Sequence, residues 1–234
     1  QVLREVTMSS RQPIGLEPWG RIAVDYEGLT PALDWIQANA PLLRLSPDEL
    51  CDGVTAVLDY LRRRRVLHDP ERRIFSKWWL DGDLEIQQGY LPNLGAPLGT
   101  KMQREASEKS QHVLQWLSDR GDTTLRQIAK KWGVRPDDVA PFLERLFEFL
   151  KQERFLVPVN LLSSKERALP GLTGLFQIDA DRLRIRANRG VWRCRSCRRQ
   201  TTRCAPHRKC MSWRCTGELE FIKEDLDNYN LQVL

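Results

Sequence analysis

VWRCRSCRRQTTRCAPHRKCMSWRCTGELEF, residues 191–221, contains five of the chain's six cysteines. Two residues separate Cys194 from Cys197, four separate Cys210 from Cys215, and twelve lie between the pairs. Zinc takes four soft ligands in a tetrahedron, and a short gap lets one tight turn deliver two sulfurs. The spacing predicts a four-cysteine zinc ribbon over 188–222, with Cys194, Cys197, Cys210 and Cys215 as ligands to a structural Zn2+. Four sulfurs close the coordination sphere, so no activated water and no hydrolytic role are expected. Cys204 and His207 lie in the intervening loop, and either could replace one of the four. Gly217, two residues past the last ligand, is expected to supply a permissive backbone, followed by a strand over 218–221. Arg193, Arg195 and Lys209 flank the thiols and favour thiolates.

The same region carries the charge. From Asp181 to Cys215 there are eleven arginines and Lys209 against Asp181 alone, a local excess of +11 in a chain of net charge +6. The remainder therefore carries −5, and four zinc-bound thiolates offset the excess by only about two charges. Arg suits phosphate because its planar fork binds bidentately. The basic belt Arg182, Arg184, Arg186, Arg193, Arg195, Arg198 and Arg199, interleaved with Trp192 and Trp213, predicts a surface for a polyanion, its indoles able to stack on bases.

Upstream, residues 101–187 predict a winged helix. A helix is expected from Ser107, carrying Val113, Leu114 and Leu117 and closed by Gly121. Asp122-Thr123-Thr124 caps a second helix through Trp132, ended by Gly133, and a third runs from about Pro136 to Gln152. Two strands, 155–157 and 175–178, joined by a loop over 163–174, follow as the wing. The third helix carries Asp137, Asp138, Glu144 and Glu148, which suits it poorly to a DNA groove. Lys130 and Lys131 on the second helix remain candidates for backbone contact, and protein docking by the winged helix stands equally open.

Residues 1–100 predict a mixed N-terminal unit. Ile22, Val24 and Tyr26 alternate as a short strand, and Thr30-Pro31 opens a helix that Pro41 ends. Ser46-Pro47-Asp48-Glu49 is a capping box opening a helix to about Arg65, with Leu50, Val54, Val57, Leu58 and Leu61 on one face. Its Arg62–Arg65 run reads as a helix end that meets the C-terminal dipole, and not as a binding patch. Cys51 reads as a small buried apolar residue. His68 and His112 have no partner pattern, and Trp78 and Trp79 read as core. A small sheet element is expected over 74–91, and Pro92, Gly95, Pro97 and Gly99 mark a linker before a boundary near Thr100. The tail 223–234 has no signal of its own. The fold class expected is thus mainly α with small β elements, α+β.

The composition, 41% hydrophobic and 29% charged over 234 residues, is that of a globular chain. It contains no apolar run long enough for a membrane span. Clustered cysteines and no apolar leader point to a reducing cytoplasm. The start at Gln1 without Met reads as a piece of a longer protein. No Gly-x4-Gly-Lys-[Ser/Thr] loop, HExxH or Ser-His-Asp set is present, so this piece is not expected to be an enzyme by itself.

Four stretches together carry a resemblance. They are RQPIGLEPWG (11–20), GLFQIDADRLRI (174–185), WRCRSC (192–197) and CMSWRCTGELE (210–220), with Asn228-Tyr229 beyond. This resembles the accessory region of large bacterial superfamily 2 DEAD/DEAH-box helicases with a cysteine-rich zinc module, of the mitomycin-repair and anti-phage defence types. The resemblance implies a bacterial cytoplasmic, DNA-engaging part, with single-stranded or junction DNA favoured. It places ATP and Mg2+ only in the motor lobes of the parent chain. The other domains of that parent, and a defence or repair partner protein, are the implied protein contacts. A docking scaffold for such a partner is the alternative function.

Overall fold

The structure is a computed structural model and describes residues 16–64, 66–68, 93–95, 113–117, 122–159 and 174–223. It mixes α and β elements, in agreement with an α+β chain. Among the described residues no helix is long and apolar enough to cross a membrane.

Strand β1, Ile22–Tyr26, forms as its alternation predicts and buries Ala23, Val24 and Tyr26. Helix α1, Asp34–Asn39, starts later than Pro31 and runs into a single 3-10 turn at Pro41–Leu43. Helix α2, Pro47–Arg62, opens on the expected capping box. The Glu49 N–H donates to Ser46 Oγ at 3.2 Å, and the Ser46 N–H donates to Glu49 Oε2 at 2.9 Å. The apolar stripe of α2 packs inward as its spacing requires.

Two elements depart from expectation. Val113–Gln115 is a strand, β4, not part of a helix. It lies parallel to β3, Asn93–Gly95, in the stretch expected to be linker. Two adjacent apolar residues fit a strand as well as a helix, and the pairing decides between them. Leu94 pairs with Leu114 on one side and Phe176 on the other and is fully buried. The residues around it, and those proposed to open and close the first helix, lie outside the described residues. So do the sheet element at 74–91, Trp78, Trp79, His112 and the tail beyond Lys223.

Around β3 a five-stranded sheet assembles. Strand β6, Leu175–Asp179, is its hub: β2 (Leu67–His68) runs parallel to it, and β3 and β5 (Leu156–Pro158) run antiparallel. Helix α3, Thr124–Lys131, is capped by Thr123 Oγ1, which accepts from the Arg126 N–H at 3.2 Å. Helix α4, Val139–Gln152, follows a 3-10 turn at Pro136–Asp138 that puts Pro141 in the first turn of the α-helix, where proline is tolerated. Trp116 is fully buried and donates its indole N–H to the Leu143 carbonyl at 2.8 Å. One continuous set of buried residues runs from Tyr26 through α2, Leu94, Trp116, α3 and α4 to Ile178, on both sides of residue 100.

The C-terminal stretch builds two small sheets. Strand β7, Leu183–Ala187, pairs antiparallel with β1. Strands β8 (Val191–Cys194), β9 (Gln200–Thr201) and β10 (Leu219–Ile222) form an antiparallel sheet in the order β10–β8–β9. This sheet sits against α2 and α3. A Cβ on Gly53 of α2 would lie 2.7 Å from Pro206 and 3.0 Å from Trp132, so only glycine permits this approach.

Behind the contact is a buried ion network. Arg62 ends α2, as its sequence predicts, but it is fully buried there and bonds Glu17 at 2.6 Å and Asp59 at 3.1 Å. The Tyr26 hydroxyl donates to Asp59 at 3.0 Å, and Arg63 reaches Glu17 at 3.1 Å. Arg62 lies four residues after Leu58 and eight after Val54, hence on the apolar stripe itself. Burial pushes the Glu17 carboxyl up, but Arg62 and Arg63 outweigh it and hold Glu17 below the ordinary carboxylate range.

Arg62→Ala is expected to destabilise the protein by about 3–5 kcal/mol, because it strands two buried carboxylates; chemical denaturation measures it. The depressed Glu17 group contributes stability that is complete above the unfolded carboxylate range and is lost as pH falls through its folded value. Glu17→Gln is therefore expected to flatten the acid limb of a stability–pH curve.

Candidate metal centre and basic face

The four predicted thiols meet. Cys194 ends β8, Cys197 follows in the next turn, and Cys210 and Cys215 bound the loop before β10. Their sulfurs all lie within 4.8 Å of one another, with Cys194–Cys215 and Cys197–Cys210 each at 3.6 Å. A tetrahedron with Zn–S bonds of about 2.3 Å has S···S edges of about 3.8 Å, so these donors suit one structural ion such as zinc. Three of the sulfurs also accept backbone N–H groups: Cys194 from Cys197 at 3.4 Å, Cys210 from Ser212 at 3.5 Å, and Cys215 from Gly217 at 3.4 Å. Cys204 stays out of the cluster, its thiol 3.5 Å from the Ala205 carbonyl, and His207 is exposed beside Gly133.

The thiols influence one another. Burial raises Cys197, but the Arg199 N–H and the other three thiols outweigh it and bring Cys197 to about 6. Burial pushes Cys210 up to about 12, and the neighbouring Cys197 adds to the rise. The thiolate at Cys197 thus opposes ionisation of Cys210, and a divalent cation between them removes that opposition.

Gly217 is needed for a different reason than expected. Its backbone is not left-handed; instead a Cβ there would lie 2.5 Å from Cys194 Sγ and 2.6 Å from Ser196 Oγ. The left-handed positions of the two turns belong to arginines, Arg198 (φ 62°) and Arg214 (φ 55°), with Arg208 (φ 53°) between them.

The arginine belt divides in two. Just before β7, Arg182 donates to the Glu27 carbonyl at 3.0 Å and lies over Phe155, and on β7 Arg184 pairs with Glu27 and Arg186 pairs with Asp25 at 2.9 Å. Arg193 and Arg195 share Glu220 at 3.3 and 3.0 Å, and Lys209 takes Glu218 at 2.7 Å. Arg203 leaves the surface: it is a tenth exposed and meets Asp25, Asp52 and Asp59 on β1 and α2. Arg189, Arg198, Arg199, Arg208 and Arg214 form no salt bridge among the described residues, although Arg208 acts at longer range on Glu218. The acids that pair with Arg184, Arg186 and Arg203 lie far away in the chain, and Glu218 and Glu220, though inside the cysteine stretch, meet Arg193, Arg195 and Lys209 only because that stretch folds back on itself.

The other predicted contacts also separate. Trp192 packs on Phe221, ring centroids 5.4 Å apart, with Arg208 above it. Trp213 is 43% exposed beside the Arg214 guanidinium. Lys130 pairs with Asp122 at 3.2 Å. Lys131 is not a free cation: it donates to the Cys210 and Ser212 carbonyls at 2.7 and 2.9 Å and ties α3 to the metal loop. The Arg214 N–H makes a second tie, to Gln127 at 2.8 Å.

No family model, curated protein or solved structure matches the chain.

Cys194→Ser is expected to abolish stoichiometric metal binding, measured by metal analysis of the purified protein. Cys204→Ser is expected to leave one ion per chain. Gly217→Ala is expected to weaken metal retention against a chelator at least tenfold, since its Cβ displaces a ligand sulfur.

Proposed function

We propose that the chain is a nucleic-acid-binding accessory module. A zinc ion fixes an arginine-bearing ribbon, and that ribbon contacts the phosphates of single-stranded or junction DNA. The observation that carries this is the set of arginines around the four thiols, Arg198, Arg199, Arg208 and Arg214, none of which forms a salt bridge with an acid among the described residues. Three of them, Arg198, Arg208 and Arg214, occupy left-handed backbone, which costs a non-glycine residue about 1–2 kcal/mol. Folding alone favours glycine there, so the retained side chains support a role outside the fold. Trp213 beside Arg214 adds a surface on which a base can stack.

Helices α3 and α4 with the β5–β6 hairpin support a winged-helix assignment, and β8–β10 with its two cysteine turns supports a zinc ribbon. Glu148 on α4 pairs with Lys151, and Asp138 in the preceding turn pairs with Arg135, so this face offers little free positive charge to a duplex. The sequence resemblance supports placing the module beside the ATP-driven motor of a bacterial superfamily 2 helicase acting in repair or phage defence. A docking scaffold for a partner protein is the second reading. It is favoured by the internal pairing of Arg184, Arg186, Arg193 and Arg195, which lowers the free charge of the belt.

Fluorescence anisotropy with single-stranded DNA across a salt series tests the proposal. Changing Arg198, Arg199 and Arg214 together to Ala is expected to lower the slope of log K against log salt by about 2, at roughly 0.7 per lost phosphate contact. Changing Arg184 and Arg186 to Ala is expected to alter it far less. Salt-insensitive binding, or none with metal content intact, overturns the nucleic-acid reading in favour of docking.

A further inference from the structure

Between α2 and the cysteine module lies a cavity of about 180 Å³. Its inner wall is apolar, made by Ala56 of α2, Ile128 of α3 and Met211 next to Cys210. Its mouth is basic. Arg64 lies over the Tyr60 ring, 4.6 Å from the centroid, and Arg199 comes from the turn before β9. Neither arginine has an acidic partner among the described residues.

Thr202 lines the same cavity, is 8% exposed, and its buried hydroxyl has no hydrogen-bond partner. Beside it, Arg203 Nε donates no hydrogen bond and meets Asp59 only as a 3.9 Å ion contact. Buried polar atoms are nearly always satisfied, so an unmet hydroxyl on a residue that lines the cavity is a spare donor, which a polar group seated there can meet once the Thr202 side chain turns toward it. A bare anion would leave the apolar wall unused and would meet Asp59 at the back. An apolar cavity of about 150 Å³ admits a benzene ring. The space here therefore takes one planar heterocycle, with polar atoms at its edge and charge at its entrance.

We propose that this cavity holds one nucleotide of a bound single strand. The base lies against Ala56, Ile128 and Met211, its edge at the Thr202 hydroxyl, and its phosphate between Arg64 and Arg199. This inference rests on the reading of the basic ribbon as a nucleic-acid surface. It makes that surface select for an unstacked base and not for charge alone, since a paired and stacked base cannot enter. The metal loop forms one wall through Cys210, Met211 and Ser212, so a formed metal loop is a condition of the cavity.

Abasic scanning of a short single strand, read by anisotropy with the full chain, tests this. One abasic position is expected to weaken binding on the order of tenfold, while the others have little effect. Ala56→Phe fills the cavity and is expected to erase that positional penalty while the salt slope remains. Thr202→Val, close in shape and expected to fold, is expected to reduce affinity for the intact strand roughly 2- to 10-fold, and for the abasic strand not at all. Free dAMP that competes with the strand and raises Tm in wild type but not in Ala56→Phe supports the cavity with a free nucleotide as its source. Strand binding with a normal salt slope but no abasic position effect overturns the cavity proposal and leaves the nucleic-acid reading standing. Absence of strand binding overturns both.

Discussion

Asp59 is the carboxylate on which the arrangement of this chain depends. It accepts from the Tyr26 hydroxyl on β1 and from Arg62 one turn along α2, and it faces Arg203 from the cysteine module. Arg62 in turn holds Glu17, which lies ahead of β1. Taking such charges out of water is costly, and the cost is met only when every partner is in place. The network therefore acts as a set: a strand, a helix, a turn and the metal module are positioned together or none is. Arg203 brings the most basic part of the chain against its acidic N-terminal part, through Asp25, Asp52 and Asp59.

The metal cluster is the second organising centre and works at shorter range. Four thiols within one ion's reach close two turns whose only apolar side chains besides the cysteines are Met211 and the exposed Trp213. The module's own buried set is small, comprising Cys194, Ala205, Cys210 and Leu219, so an ion held by the four thiols would supply what the hydrophobic effect does not. Lys131 and Gln127 of α3 then hold the metal loop from outside. The helix whose Lys130 and Lys131 are candidates for backbone contact in the sequence serves here as a bracket for the loop.

Pairing sorts the arginines by role. Those on β7 and β8 meet acids of β1, β10 and the turn after β1, and exposed pairs of this kind are weak individually, about 0–1 kcal/mol. Their main effect is on the field: they leave the β1–β7 face near neutral and concentrate free charge on the cysteine turns. The basic ribbon is thus narrower than its composition suggests, and it borders the cavity between α2 and the metal loop.

Much of this was legible in the sequence. The capping box at Ser46, the stripe of α2, the caps of α3, the β5–β6 hairpin and the four thiols all follow from local chemistry. A cap, an apolar period or a ligand spacing is satisfied within a few residues, so its sequence pattern is sufficient. The sequence determined that an arginine-rich module with four thiols spaced to hold one metal ion follows a helical unit. Only the tertiary structure decided that Val113–Gln115 is a strand, because its partner at Asn93–Gly95 is remote. It also decided that Arg62 is internal, that Lys131 is tied to the loop of Cys210, that Gly217 answers to space and not to backbone conformation, and which arginines form salt bridges among the described residues. Each of these depends on which distant group comes within a few ångströms, and no local pattern encodes that distance.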